Sequence, residues 1–192
     1  MNWSGVVNAG QAMRDHRGQA LVETALALPV FVLVLFATLG IGLGGLGNLV
    51  AYAASSYSAW EGSNLYREAL PADPSVVVGI ADKLSSQQLT EARWEGGGWV
   101  AGGSSSIEQR TLAAARGWLK LLGGLVSHPT VVVRTWRTVD IPGGDLRRGY
   151  VRYLLESRVE FDLPGWGLPG MPLTVSQATV SRVKEVGPYG SF

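Results

Sequence analysis

Residues 24–50 read TALALPVFVLVLFATLGIGLGGLGNLV, 27 positions without one charged side chain. As a helix rising 1.5 Å per residue they extend about 40 Å, against a hydrocarbon core of roughly 30 Å. The stretch is long enough to span a membrane with some left over, and the surplus falls on the glycine-rich end and Asn48, near the far headgroups. A small domain cannot absorb so long a segment, apolar on nearly all faces, as a core helix. Ala51-Tyr52-Ala53 has the small-x-small form of a secretory cleavage site, yet the apolar region of a cleaved signal is only about 7–15 residues. The stretch therefore reads as an anchor.

Outward from it, the uncharged run extends to Trp60, in a chain whose charged residues make up 16% of the total. Arg14 and Arg17 precede the span, and no Lys or Arg comes after it before Arg67. The positive-inside rule then keeps the N-terminus cytoplasmic and exports the residues C-terminal to the span. At 192 residues there is room for one modest domain beside the anchor. The net charge of +1 shows no basic excess of the kind that a nucleic-acid partner calls for. Cysteine is absent, which removes disulfides, thiolate metal sites and thiol nucleophiles together.

The junction ahead of the span is Arg17-Gly18-Gln19-Ala20-Leu21-Val22-Glu23. A short polar leader ends in glycine, four uncharged residues come next, then a lone carboxylate, then the apolar run. This resembles the class III signal peptide of type IV pilins and pseudopilins. The run RGQALVETALALPVFVLVLFATLGIG, with Gln19 at the junction and Pro29 early in the span, is similar to TadE-type minor pilins of the Tad (tight adherence, Flp) pilus system. AYAASSYSAWEGSNLY downstream agrees with the Ala-rich stretch that succeeds the span in that family. The resemblance covers about residues 14–66. It implies cleavage by a prepilin peptidase between Gly18 and Gln19, with Glu23 fifth in the mature chain. It also implies partners: the peptidase, other Tad/Flp pilins and inner-membrane platform proteins. The expected location is the bacterial inner membrane, single-pass, with passage into an extracellular pilus on assembly.

Elementary electrostatics supports a role for Glu23. A carboxylate within an inserted helix costs about 2.5–3.5 kcal/mol on insertion scales unless it meets a positive partner. Cutting after Gly18 creates one, the α-amino group of Gln19 on a neighbouring subunit. Loss of Arg14, Asp15 and Arg17 also turns the net charge from +1 to neutral before termini. The plainer alternative has Glu23 at the headgroup boundary, reaching into water.

Gly40-x-Gly42-x-x-Gly45 satisfies the dinucleotide fingerprint as a pattern only, since that site needs a strand before it and a helix opening at it. Gly40-x-x-x-Gly44 is instead a spacing that lets membrane helices approach closely, here against another subunit; the alternative is that these glycines only loosen the helix at the membrane exit. The expected organisation is a cleaved leader at 1–18, a transmembrane helix at 19–50 and an exported domain at 51–192. In that domain the anchor helix continues to about Tyr66, and Leu70–Pro74 breaks it. Ser75–Arg93 reads as a helix, and 96–106, with five Gly and three Ser, as a flexible connection. A second helix is expected over 107–126, capped by Ser106 and stopped at His128-Pro129. Strands are expected over Thr130–Ile141, Tyr150–Leu163 and Leu173–Val183, with turns at Pro142–Asp145 and Pro164–Gly170. Leu154 and Ser157 break the alternation of the second strand. The fold class is α+β, helices packed on a small antiparallel sheet.

No HExxH, GxSxG, GKS/T or EF-hand pattern is present, and the two histidines, His16 and His128, form no cluster in sequence. The expectation is no cofactor, no metal and no catalysis. The charges of residues 152–162 read as a solvated strand face. The seven tryptophans serve core or membrane-interface packing, or else an exposed adhesive surface. The leading expectation is a structural subunit that initiates, caps or decorates a pilus. A second reading is an uncleaved signal-anchored domain with a binding or regulatory role, its helix only a tether.

Overall fold

The computed structural model describes residues 4–70, 86–140, 149–165 and 172–187, with side chains from Gly18 onward. Helix α1 runs Ser4–Ala69 with Pro29 inside it. It stops just before Leu70-Pro71, where proline disfavours helical geometry in the residue ahead of it. The chain divides into two compact units, the first ending at Gly42 and the larger beginning at Leu43.

Strands β1 (Ser86–Glu95), β2 (Gly98–Ala101), β3 (Ser127–Asp140), β4 (Tyr150–Leu163) and β5 (Leu173–Val186) form one antiparallel sheet in the order β2-β1-β3-β4-β5. Helix α2 (Ser106–Leu119) and a 3-10 turn (Lys120–Leu125) lie between β2 and β3. The α+β class read from the sequence is the class observed.

Several local expectations are corrected. Ser86–Arg93 is strand, not helix, while Ser75–Ser85 lies outside the described residues. Its even-odd pattern places Ala92 and Trp94 in the core and Glu91, Arg93 and Glu95 outside. The glycine-rich 96–106 is no plain connection, because Gly98–Ala101 pairs back on β1 as a hairpin. The cap of α2 is Ser105, one residue earlier than expected. His128-Pro129 sits within β3 at a register shift, with the helix already ended. The expected turns at Pro142–Asp145 and, beyond Gly165, at Pro164–Gly170 lie outside the described residues.

Ser105 is preferred because Ser105-Ser106-Ile107-Glu108 closes a capping box. The Ser105 hydroxyl accepts from Glu108 N–H at 3.2 Å, and the Glu108 carboxylate accepts from Ser105 N–H at 3.2 Å and Gly103 N–H at 2.7 Å. Gly103 has φ +91° and lies against the Trp99 ring, so the corner requires glycine. Glu108 is only 8% exposed. Glu108→Ala therefore strands one buried donor and one part-buried donor, at about 1–3 kcal/mol. Denaturant unfolding of the full chain in detergent, followed by tryptophan fluorescence, should show a loss of that size; unchanged stability rules the account out.

The core lies between one face of the sheet and the two helices. Val131 and Val133 of β3 and Val151, Leu155, Val159, Phe161 and Leu163 of β4 are buried against Val50, Ala51, Ala54, Leu112, Ala115 and Leu119. From Gly44 onward one face of α1 is buried and built almost wholly of small residues: Gly44, Gly47, Ala51, Ala54, Ser55, Ser58, Ala59, Gly62 and Ser63. A side chain at Gly47 would strike Leu163, and one at Gly62 would strike Thr111. The helix thus lies close on the sheet, and hydroxyl pairs bridge the seam: Ser58 with Ser157 at 2.7 Å and Ser55 with Thr179 at 2.9 Å. Ser157, an apparent break in the β4 pattern, keeps the inward alternation and is fully buried as a partner for α1.

Candidate functional site

The candidate site is the start of the apolar helix. Every described residue from Gly18 to Leu39 is exposed. Leu21 is 73% and Leu26 70% exposed, so Glu23 stands among uncovered apolar side chains. The most apolar stretch of the helix reaches a mean hydropathy of 2.6 with none of it buried, which makes α1 long and apolar enough to cross a membrane.

Among the described residues the Gln19 amide bonds Glu23, its Nε2 donating to Glu23 Oε1 at 3.0 Å one turn away. Thr24 Oγ1 donates to Ala20 O at 2.8 Å, so its hydroxyl is satisfied within the helix. Among the described residues no cation forms an ion pair with Glu23. A neutral amide leaves the charge uncompensated, and in hydrocarbon that is the costly situation. The geometry presents the carboxylate outward on an exposed helix surface.

Gly18 lies in the same helix, exposed, and a Cβ there would meet nothing within 4 Å. A glycine inside a helix costs roughly 0.5–1 kcal/mol against alanine. Packing of the described residues gives no reason for it, in contrast to Gly47 and Gly62. Gly40 is part-buried, and a Cβ on Gly44 would meet Leu173 Cδ2 of β5 at 3.0 Å. The close approach of Gly44 is thus made inside the chain. The Gly40–Gly45 pattern is helical throughout, with none of the strand-to-helix geometry that cradles phosphate.

Elsewhere the chemistry is sparse. Among the described residues no three His, Asp or Glu side chains converge on a possible metal position. The outer sheet face carries paired charges, as its alternation suggested. Arg134 bonds Glu91 at 2.9 Å and Arg152 bonds Glu185 at 3.0 Å. The guanidinium of Arg134, then the Gln88 amide, hold the Glu91 carboxyl below its ordinary range. His128, at φ 48° and largely exposed, meets the mostly covered Asp162 at 3.3 Å. Trp94 is buried under Arg116, 5.1 Å from the ring centroid, whereas Trp60 stays 55% exposed beside Tyr57. Sequence reasoning missed the buried Glu108 and the serine seam. The S-x-x-E spacing signalled the first; the second had only the small-residue period of α1.

Residues 18–58 match the family model described as TadE-like protein. Over that stretch the chain is similar to TadE-like proteins, consistent with the Tad system. No curated protein and no solved structure matches the chain.

Proposed function

From a TadE-like N-terminal segment that begins at Gly18, we propose that this chain is a minor pilin-like subunit of a Tad-type pilus. A prepilin peptidase removes residues 1–18, and the subunit acts in initiating, capping or decorating the filament. The role is structural, not catalytic. Its partners are other pilins of the system and inner-membrane platform proteins, and its location is the inner membrane with the sheet unit exported.

The observation that carries this reading is Glu23, an exposed carboxylate at the mouth of an exposed apolar helix, bonded among the described residues by an uncharged amide. Removal of the leader makes Gln19 a positive N-terminus, and a neighbouring copy can offer it to Glu23. Two further facts agree. The family match starts at the junction, and Gly18 has no packing role among the described residues. The segment Thr24–Gly42, ahead of the sheet-packed part of α1, measures about 28 Å as a helix, close to the hydrocarbon thickness. We assign the span to it.

Mass spectrometry of the membrane-extracted protein tests the cut directly, with a chain starting at Gln19 as the expected species. Gly18→Leu should leave more than about nine-tenths of the protein uncut, as a bulky side chain now faces the peptidase at an otherwise open position. An intact N-terminus in cells with an active peptidase would favour the tethered-domain reading instead.

A further inference from the structure

Helix α1 joins the sheet unit at Leu43, and the end of the unit packed on its first residues is apolar. Leu173, the first residue of β5, stands 3.0 Å from where a Cβ on Gly44 would lie, and Leu163, the last of β4, would collide with one on Gly47. Gly44 and Gly47 are the second and fifth residues after Gly42, about 3 and 8 Å farther along the helix axis. Helix α2 runs back toward the same end: Arg110 bonds Glu61, whereas Trp118, late in α2, packs on Tyr57. The 3-10 turn then leads through Val126 to Ser127, which lies opposite Asp162, the neighbour of Leu163. The turn and the start of β5 thus share one rim. Neither Leu121–Pro129 nor Leu163–Ser181 contains an Asp, Glu, Lys or Arg. Leu125 and Leu173 on that rim are 38% and 43% exposed, enough to reach a surface laid against it.

We propose that this rim rests in the headgroup layer of the membrane that α1 crosses, with Leu125 and Leu173 touching lipid. Headgroups add about 5–8 Å to each side of the hydrocarbon. With Thr24–Gly42 as the span, Gly44 and the Leu173 side chain upon it fall inside that layer. Exposed Leu46, Leu49 and Tyr52 continue the contact along α1, because helical side chains lean toward the N-terminus and here toward the membrane. Tyrosine suits that depth, with its apolar ring and polar tip.

The opposite end of the unit is of another character. There α1, β3, β4 and β5 carry Arg67, Glu68, Asp140, Arg152 and Glu185. Asp162, beside the rim, is mostly covered and accepts from Thr174 at 2.7 Å. The attachment is therefore apolar rather than ionic. Interfacial anchors set helix tilt, so the rim fixes how the exported unit stands on the membrane. This rests on the span assigned above and not on removal of the leader.

The absence of cysteine allows single thiol probes. Gly124→Cys, beside Leu125 with nothing within 4 Å of a Cβ, and Leu173→Cys report the rim. Val34→Cys reports the span and Glu68→Cys the far end, both at exposed positions. Each full-length chain carries an environment-sensitive fluorophore and is placed singly in phosphatidylcholine nanodiscs, where no second copy can cover the rim. Headgroup nitroxide lipids should quench both rim probes several-fold more than the Glu68 probe. Concentrated salt should leave that quenching unchanged, since screening weakens only charge contacts. Adding Leu125→Glu and Leu173→Glu should return the Gly124 probe to the Glu68 level. Rim probes quenched no more than Glu68, quenching lost in salt, or a Gly124 probe unmoved by the two glutamates overturns the lipid footing. A Val34 probe that mid-chain nitroxide lipids fail to quench sinks the span and the footing with it. A quenched Val34 beside unquenched rim probes removes the footing alone.

Discussion

Glu23→Ala is expected to leave cleavage after Gly18 intact and to reduce filament number on the order of a hundredfold. The alanine helix inserts at least as well as the native one, because the substitution removes a charge from the edge of the apolar span. Any defect therefore lies after insertion. Loss of one partner of a charge pair that is buried on assembly costs about 2–5 kcal/mol, roughly a hundredfold or more in the docking constant. Glu23→Gln separates charge from hydrogen bonding: it keeps a partner for the Gln19 amide and should fail as badly as alanine. Counts of pili by electron microscopy, beside the cut-to-uncut ratio on a blot, supply both readouts. Normal filament numbers in either variant remove the assigned role of Glu23.

Gly62→Leu should unfold or severely loosen the sheet unit. A Cβ at Gly62 already collides with the Thr111 hydroxyl and stands 3.2 Å from Leu155 Cδ1, before the remaining carbons of leucine are added. The helix cannot back away cheaply, as Ser58 is tied to Ser157 one turn earlier and Tyr66 packs edge-on to Tyr153 one turn later. Overpacking of this kind costs about 1–3 kcal/mol and more where both sides are fixed, so the upper end or beyond is expected. Gly117→Ala is the matched control. Gly117 is exposed in α2 with nothing within 4 Å of a Cβ, and alanine there should gain up to about 1 kcal/mol from helix propensity. Chemical denaturation of the two variants in detergent should move in opposite directions. Equal midpoints would show that close approach of α1 to the sheet is not what holds the unit together.

Much of this molecule is legible in its one-dimensional pattern wherever a local rule decides the outcome. The uncharged run from Thr24 announces a long exposed apolar helix, and the alternation of Val151 to Leu163 announces a half-buried strand. The junction Gly18–Glu23 stands out because charge and apolar surface conflict there, and such conflict needs no tertiary knowledge to see. Ser86–Arg93 reads as helix because Gln, Glu, Ala and Arg are good helix formers. Pairing with Thr130–Thr138 of β3 outweighs that weak preference. The cap moves from Ser106 to Ser105 because the carboxylate three residues on, Glu108, chooses its serine.

Local pattern alone thus sets the apolar anchor, its single carboxylate and the α+β class of the folded unit, since periodicity and solvent preference act over a few neighbouring residues. Three-dimensional packing settles the strand order and the use of Gly44 to Ser63 as a small-residue seam against β4 and β5. Those outcomes depend on contacts between residues far apart in the chain, such as Ser58 with Ser157, for which no local pattern carries the partner's position.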